Sequence, residues 1–265
     1  MKNKIKSAIN LFKPIVKNTK NWPILILNRL GILKNKILTY KFKNGLEVLI
    51  ENAKGEYESS GMAMIVDIFL VKTYTPKGIN MKNYKTIIDI GANMGIFSIY
   101  ASINSPNAKV DSFEPFKKHF SKLNKNIRLN NLKNIKTFNL AVSKNNLSKD
   151  FFISKTHTSA HSLIKNQNSS LKIKINCISL KEVFEKNKIK KCDFMKIDCE
   201  GREYDILYNA PRSIFNKIEK IIIEFDNIDN NIKNGNALKK FLGKKGFKVN
   251  IRGENNISGG IYAEK

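Results

Sequence analysis

Acids and glycines recur along this chain in patterns suited to holding a small polar ligand and taking a proton from it. The first is Asp89-Ile90-Gly91-Ala92-Asn93-Met94-Gly95, in which an apolar run closes on an acid and two glycines flank an asparagine. Glycines let a chain turn sharply and let backbone approach a ligand with no Cβ between them. The Asn93 amide can hydrogen-bond a polar group, and Asp89 places negative charge where a pyrophosphate would be repelled. The loop is not the Gly-x-Gly-x-x-Gly of dinucleotide sites. It suits a ligand with a cationic end and no phosphates.

The second feature is Glu114, 25 positions after Asp89. An acid closing the second strand of an open sheet can accept hydrogen bonds from both hydroxyls of a ribose. A ribose anchor, a glycine loop and an acid for an ammonium group together fit S-adenosylmethionine. The third is Asp198 and Glu200 in "DFMKIDCEG". Alternation along a strand would point both the same way, where either could act as base for an acceptor hydroxyl. The other reading is that they bind cofactor or cap the helix beginning near Arg202. Lys196 shares their face and would hold them ionised. With Glu224 and Asp226 they form a set of hard oxygen ligands that would suit Mg²⁺, but Lys196 would oppose a metal and none is expected. His157 and His161 lie in "KTHTSAHSL". His161 is a candidate catalytic or acceptor contact, since imidazole is a suitable base near neutral pH; solvated loop histidines are the bland alternative.

The elements that must position these residues begin at Lys85. "TIIDIG", "KVDSFEP", "KTFNLAVS", "DFMKIDCEG" and "KIIIEFD" read as strands, separated by helices over 93–103, 115–130 and from Arg202. A helix over 237–245 then leads to "FKVNI" and "GGIYAEK", a closing antiparallel pair. Such alternation means a parallel sheet covered by helices. The insert after the third strand holds strand-like "DFFIS" and "LKIKINCISL". Before the sheet, residues 1–38 alternate lysines with Ile5, Ile9, Phe12, Ile15 and Val16, the spacing of a basic amphipathic helical extension. Residues 39–84 hold a β-hairpin turning at Asn44-Gly45 in a tight two-residue turn, then a short helix carrying Met64, Ile65, Ile68, Phe69 and Lys72. Residues 85–265 form the cofactor-binding catalytic domain.

Three blocks, "DIGANMGIFS", "FEP" at Phe113–Pro115 and "FMKIDCEGREYDILYNA" at Phe194–Ala210, occur in order. Together they closely resemble the FkbM family of S-adenosylmethionine-dependent methyltransferases over about residues 60–225. The resemblance implies an α/β class I methyltransferase fold, Rossmann-like, with a mostly parallel seven-stranded sheet and helices on both faces. It implies methyl transfer to an oxygen, often on a sugar or another secondary metabolite. It places the cofactor against Asp89, Gly91, Asn93, Gly95 and Glu114, and by fold analogy the adenine against the backbone of Ala141. The chain departs from the family in two places. Glu224-Phe225-Asp226 stands where Glu-x-His is common, so no role for that histidine carries over. Leu180-Lys181 stands where Leu-Asp is common, which removes any contact made by that acid.

The net charge of +26 invites nucleic acid or anionic lipid as partners. The lysines are spread along the whole chain with no dense block, so compositional bias explains them more simply. Amino-directed nucleic-acid methyltransferases carry Asn/Asp-Pro-Pro-aromatic where this chain reads "DCEG". The expected partner is a small-molecule or glycan acceptor. RNA ribose methylation and a non-catalytic interaction module stand as alternatives, and the oligomeric state is open. Cys177, Cys192 and Cys199 have no paired two-residue spacing and read as neutral thiols of a reducing cytoplasm. No apolar run reaches a membrane span, and Trp22–Leu33 lacks the cleavage site of a secretory signal. The expected location is cytoplasmic, with peripheral membrane contact through the basic N-terminus as an open reading.

Overall fold

The computed structural model describes residues 13–29, 32–33, 37–51, 64–75, 79–154, 169–253 and 255–265. Ile5, Ile9 and Phe12 of the expected amphipathic helix, and both insert histidines, lie outside them. Residues 13–18 are helical, as is Trp22–Arg29 (α1), so the described extension is two short helices rather than one. The break at 19–21 comes from pairing with the hairpin. Thr19 bridges to Phe42, and the Lys20 N–H donates to the Lys41 carbonyl at 2.7 Å. No helix among the described residues is long and apolar enough to cross a membrane.

Ile37–Lys41 (β1) and Glu47–Glu51 (β2) form the antiparallel hairpin. Its turn is longer than two residues. Of Asn44 and Gly45 only Gly45 is left-handed, at φ +91°, and the Phe42 N–H donates to the Leu46 carbonyl across the loop. The helix that follows is a wide π-type turn, Val66–Val71. Lys72, at φ +62°, ends it and directs Tyr74 inward.

The central sheet contains Thr86–Ile90 (β3), Lys109–Phe113 (β4), Ile135–Phe138 (β5), Phe194–Ile197 (β10), Lys220–Asp226 (β11), Lys248–Arg252 (β12) and Ser258–Glu264 (β13). Besides the hairpin, four short strands lie outside it. Ala141–Ser143 (β6) pairs with Cys177–Ser179 (β9), and Lys149–Ser154 (β7) pairs with Ser169–Ile175 (β8). The order is β12-β13-β11-β10-β3-β4-β5. Pairs from β11 through β5 are parallel, and β13 runs antiparallel to both β11 and β12. The chain therefore moves outward from β3 to β5, then reverses to β10. Ligands in open α/β sheets sit beyond the strand ends at such a reversal.

Alternate residues of the strands enter two cores. Ile88, Ile90, Met195 and Ile197 face one that includes Val183 and Phe184 of Leu180–Lys186 and Tyr204 of Glu203–Tyr208. Ile87, Phe194 and Ile222 face the other, which includes Ile99 of Ile96–Asn104 (α2) and Ile15, Leu25, Tyr40 and Val48. The N-terminal segments thus share a core with the sheet. "KTFNLAVS" is not one strand. Asn139 donates its amide to the Glu114 and Pro115 carbonyls, each at 2.9 Å, and β6 leaves the sheet.

Lys117–Leu129 (α3) ties the hairpin to the glycine loop through Asn126, which is fully buried. Its amide nitrogen donates to the Leu49 and Met94 carbonyls at 2.9 and 2.8 Å, and its oxygen accepts from the Leu49 N–H at 2.8 Å. Replacing Asn126 with alanine strands three buried backbone groups. The expected loss is about 3 kcal/mol, read as a lower urea midpoint with unchanged slope.

Candidate active site

A cavity of about 630 Å³ opens over the carboxyl ends of β3, β4, β10 and β11. Its lining includes Gly91, Asn93, Glu114, Ala141 and Cys199 together with Asp67, Tyr74, Asp198, Glu224 and Arg252. Glu200 also lines it, whereas Asp89 and Gly95 do not.

The glycine loop is shaped by packing against the neighbouring strand. Gly91 sits at φ +77°, and a Cβ there would lie 1.8 Å from the Asp198 carbonyl oxygen. Its missing side chain therefore admits β10's end, not a ligand. A Cβ on Gly95, at φ +85°, would meet the Leu123 side chain at 2.3 Å. Asn93 is left-handed too, at φ +51°, and its buried Oδ1 has no partner among the described residues.

Glu114 is buried, and its two oxygens each accept one backbone N–H, from Asn93 and from Phe116, both at 2.8 Å. An ionised carboxylate has about four acceptor positions, so acceptor capacity remains toward the cavity. Burial pushes its carboxyl up to about 7, against those two bonds. Ala141 lines the same cavity, but its N–H already donates to the Asn176 carbonyl at 2.9 Å. Any adenine contact there uses another atom.

Asp89 is fully buried beneath the loop. Its Oδ2 accepts from Ser98 Oγ at 2.6 Å, and its Oδ1 faces Lys196 Nζ at 3.3 Å. Asp89 thus supports the loop through Lys196 and does not line the cavity, where the sequence reading set it beside the cationic end of a ligand. Lys196, 3% exposed, also donates to the Gly91 carbonyl at 2.8 Å and pairs with Asp198 Oδ2 at 3.3 Å. Burial disfavours its charge, but Asp198 and Asp89 outweigh that and hold the ammonium above the usual lysine range.

β10 ends at Ile197, so strand alternation does not relate Asp198 to Glu200. Glu200 is left-handed at φ +53° and Gly201 follows at +89°; this turn, not a pleat, brings both acids to the cavity. Burial first, then the charges of Asp198 and Asp226, push Glu200 up to about 9. The loop is held by Glu203, which accepts the Cys199 N–H at 2.7 Å, and neither Asp198 nor Glu200 caps the following helix. Among the described residues no group of three or more His, Cys, Asp or Glu is arranged to hold a metal. The three cysteines are unpaired, and burial raises each thiol.

Sequence reasoning missed Tyr74, His119 and Arg252 among the lining residues. Tyr74 is the most consequential. Its hydroxyl is 3.0 Å from Asp198 Oδ2 and 2.8 Å from Glu224 Oε2. No motif announces it; only the path of the chain after Lys72 brings it there.

Comparison with known proteins gives the following matches. The sequence profile of the family described as "Methyltransferase FkbM domain" matches residues 89–249. Among curated relatives, the AMB antimetabolite synthetase AmbE of Pseudomonas aeruginosa is 23% identical over 223 residues, 70% of this chain and 10% of that protein. Methyltransferase 1 of Beauveria bassiana is 21% identical over 184 residues, 62% of this chain and 73% of that one. The 31-O-demethyl-FK506 methyltransferase FkbM of Streptomyces tacrolimicus is 29% identical over 94 residues, 36% of this chain and 34% of that one. Among solved structures, a SAM-dependent methyltransferase from Agrobacterium tumefaciens matches with TM-score 0.49 at 11% identity, over 87% of this chain and 70% of that chain.

Proposed function

This protein belongs to the FkbM methyltransferase family, whose profile covers more than half of the chain, and from that premise we propose that it methylates a hydroxyl oxygen of a carbohydrate or related metabolite. Membership makes it an S-adenosylmethionine-dependent methyltransferase. The acceptor is our reading, and one carboxylate carries it: Asp198, on the cavity wall and 3.3 Å from Lys196 Nζ. The name of the Streptomyces relative, a 31-O-demethyl-FK506 methyltransferase, supports the same class of acceptor.

The residues present fit the cofactor. Glu114 retains acceptor capacity for ribose hydroxyls, and the orphaned Asn93 Oδ1 offers an acceptor to a ligand donor. Lys196, the buried cation beneath the loop, is held by Asp89, Asp198 and Gly91 rather than aimed at a phosphate. When bound, S-adenosylmethionine supplies a methyl group on a cationic sulfur whose charge vanishes on transfer. The chain's part is alignment and removal of the acceptor's proton. Asp198 would take that proton from the acceptor hydroxyl as the methyl group is transferred to its oxygen. The site then loses one positive charge and gains one proton, so its net charge is unchanged. In a partly buried site, that avoids leaving a new uncompensated charge.

Two experiments test this. Calorimetric titration with S-adenosylmethionine, S-adenosylhomocysteine and NADH is expected to show micromolar binding of the two sulfur nucleosides and none of NADH. A labelled-methyl screen should then give incorporation into hydroxylated metabolites or glycans. Incorporation into RNA ribose alone would instead favour the reading that the net charge of +26 invites. Binding also has a pH signature. The ionised Glu114 accepts from ribose hydroxyls, so affinity for both nucleosides should weaken as pH falls through about 7. The expected change is about tenfold between pH 8 and pH 6, and absent in Glu114→Gln.

A further inference from the structure

The hydrogen-bond count around Tyr74 does not close with two ionised carboxylates. Its hydroxyl lies 3.0 Å from Asp198 Oδ2 and 2.8 Å from Glu224 Oε2. A phenol brings one proton, and ionised carboxylates bring none. Two carboxyls on one phenol therefore need a second proton. Asp198 Oδ2 already faces the Lys196 ammonium at 3.3 Å, a contact that offers it a donor from the other side. The extra proton then belongs on Glu224, which donates to the Tyr74 oxygen while Tyr74 donates to Asp198.

We propose that Tyr74, Asp198 and Glu224 form one proton-sharing unit, in which Tyr74 is the positioning residue that bridges the two carboxyls. The proposal rests on the reading of this cavity as the methyl-transfer site. The phenol is set by contacts that do not involve the carboxyls. Its ring meets Phe97 edge-on at 5.5 Å, and Lys196 Nζ stands 5.4 Å over it. The negative charge of Asp198, then burial, pushes Glu224 up to about 7. Burial and the two carboxyls raise Tyr74, so the phenol stays protonated. Other charged groups face the unit from every side. They are Lys196, Asp89 and Cys199 near Asp198, Glu200 and Asp226 near Glu224, Glu203 near Glu200, and Asp67 and Arg252 in the cavity lining. Tyr74 precedes the family's matched segment, which begins at residue 89. Once Glu224, which lines the cavity, has released its proton there, Asp198 can pass the acquired proton through Tyr74 to the emptied Glu224 carboxylate.

The test needs no acceptor. S-Adenosylmethionine carries the sulfonium charge and S-adenosylhomocysteine does not, while ribose and amino-acid contacts are common to both. Calorimetry in buffers of different ionisation enthalpy counts the protons exchanged on binding each. At pH 7 the sulfonium should expel about half a proton more than the thioether. In Glu224→Gln both nucleosides should bind and that difference should vanish. In Tyr74→Phe, which keeps the ring contacts, the release should move up by about one pH unit, because two unbridged carboxyls hold their shared proton more tightly. A Tyr74 with only a packing role would weaken both nucleosides alike and leave the midpoint in place. Equal proton counts for the two nucleosides from pH 6 to 8, or an unchanged difference in Glu224→Gln, would overturn the unit and leave the cofactor reading standing. Failure of the wild-type chain to bind either nucleoside would overturn that reading, and the unit with it.

Discussion

Asp198→Asn is expected to slow methyl transfer roughly 10²- to 10⁴-fold, the usual contribution of a positioned base, while the affinity for S-adenosylmethionine changes by less than about fivefold (under 1 kcal/mol). Asparagine keeps the shape of the side chain and can still accept from Tyr74, whose hydroxyl lies 3.0 Å from Oδ2. It cannot take a proton. Lys196 retains Asp89 at 3.3 Å and the Gly91 carbonyl at 2.8 Å, so the loop keeps its main support. The separation between turnover and binding is what distinguishes a base from a scaffold residue. It is measured by single-turnover transfer to the acceptor found in the screen, beside calorimetry on the same preparation. A variant with normal turnover would show that alignment alone drives the reaction and would remove Asp198 from the chemistry.

The parts of this site readable in sequence are those encoded by local chemistry. An acid closing an apolar run, a glycine that must adopt φ +77°, and an acid 25 positions on are visible without coordinates, and Gly91, Asn93, Glu114, Asp198 and Glu200 do converge on one cavity. Their reasons were less visible. Gly91 is required because Asp198's carbonyl occupies the space a Cβ would fill, a contact between residues 107 positions apart. The periodicity through 136–143 hid the departure of β6, because the apolar pattern continues while Asn139 bonds back to residues 114 and 115. Glu200 escaped strand alternation for a similar reason, since a left-handed backbone is not signalled by a glutamate. Tyr74 is the extreme case. Nothing local marks it, and its partners lie 124 and 150 positions away, so its role exists only once the chain is folded.

Lys196→Met is expected to cost about 3–5 kcal/mol of stability, or a fall of roughly 10 °C in melting temperature. Methionine fills much the same volume, so packing is not the cause. The cost comes from what stays behind: Asp89, fully buried, would keep only the Ser98 hydroxyl at 2.6 Å, and the Gly91 carbonyl would lose its 2.8 Å donor. The sign with pH follows. In the variant an uncompensated buried carboxylate has its folded-state pKa raised above the unfolded value. A group so raised binds its proton more tightly in the folded chain, so the deficit should shrink as pH falls toward the ordinary aspartate range and be fullest at neutral pH. Adding Asp89→Asn should recover a large part of the loss at pH 7, because removing both partners of a buried pair costs less than removing one. Chemical denaturation of the two variants at pH 7 and pH 5 separates this from direct ligand binding. A lysine that only held the cofactor would leave the ligand-free stability unchanged, and the second substitution would rescue nothing.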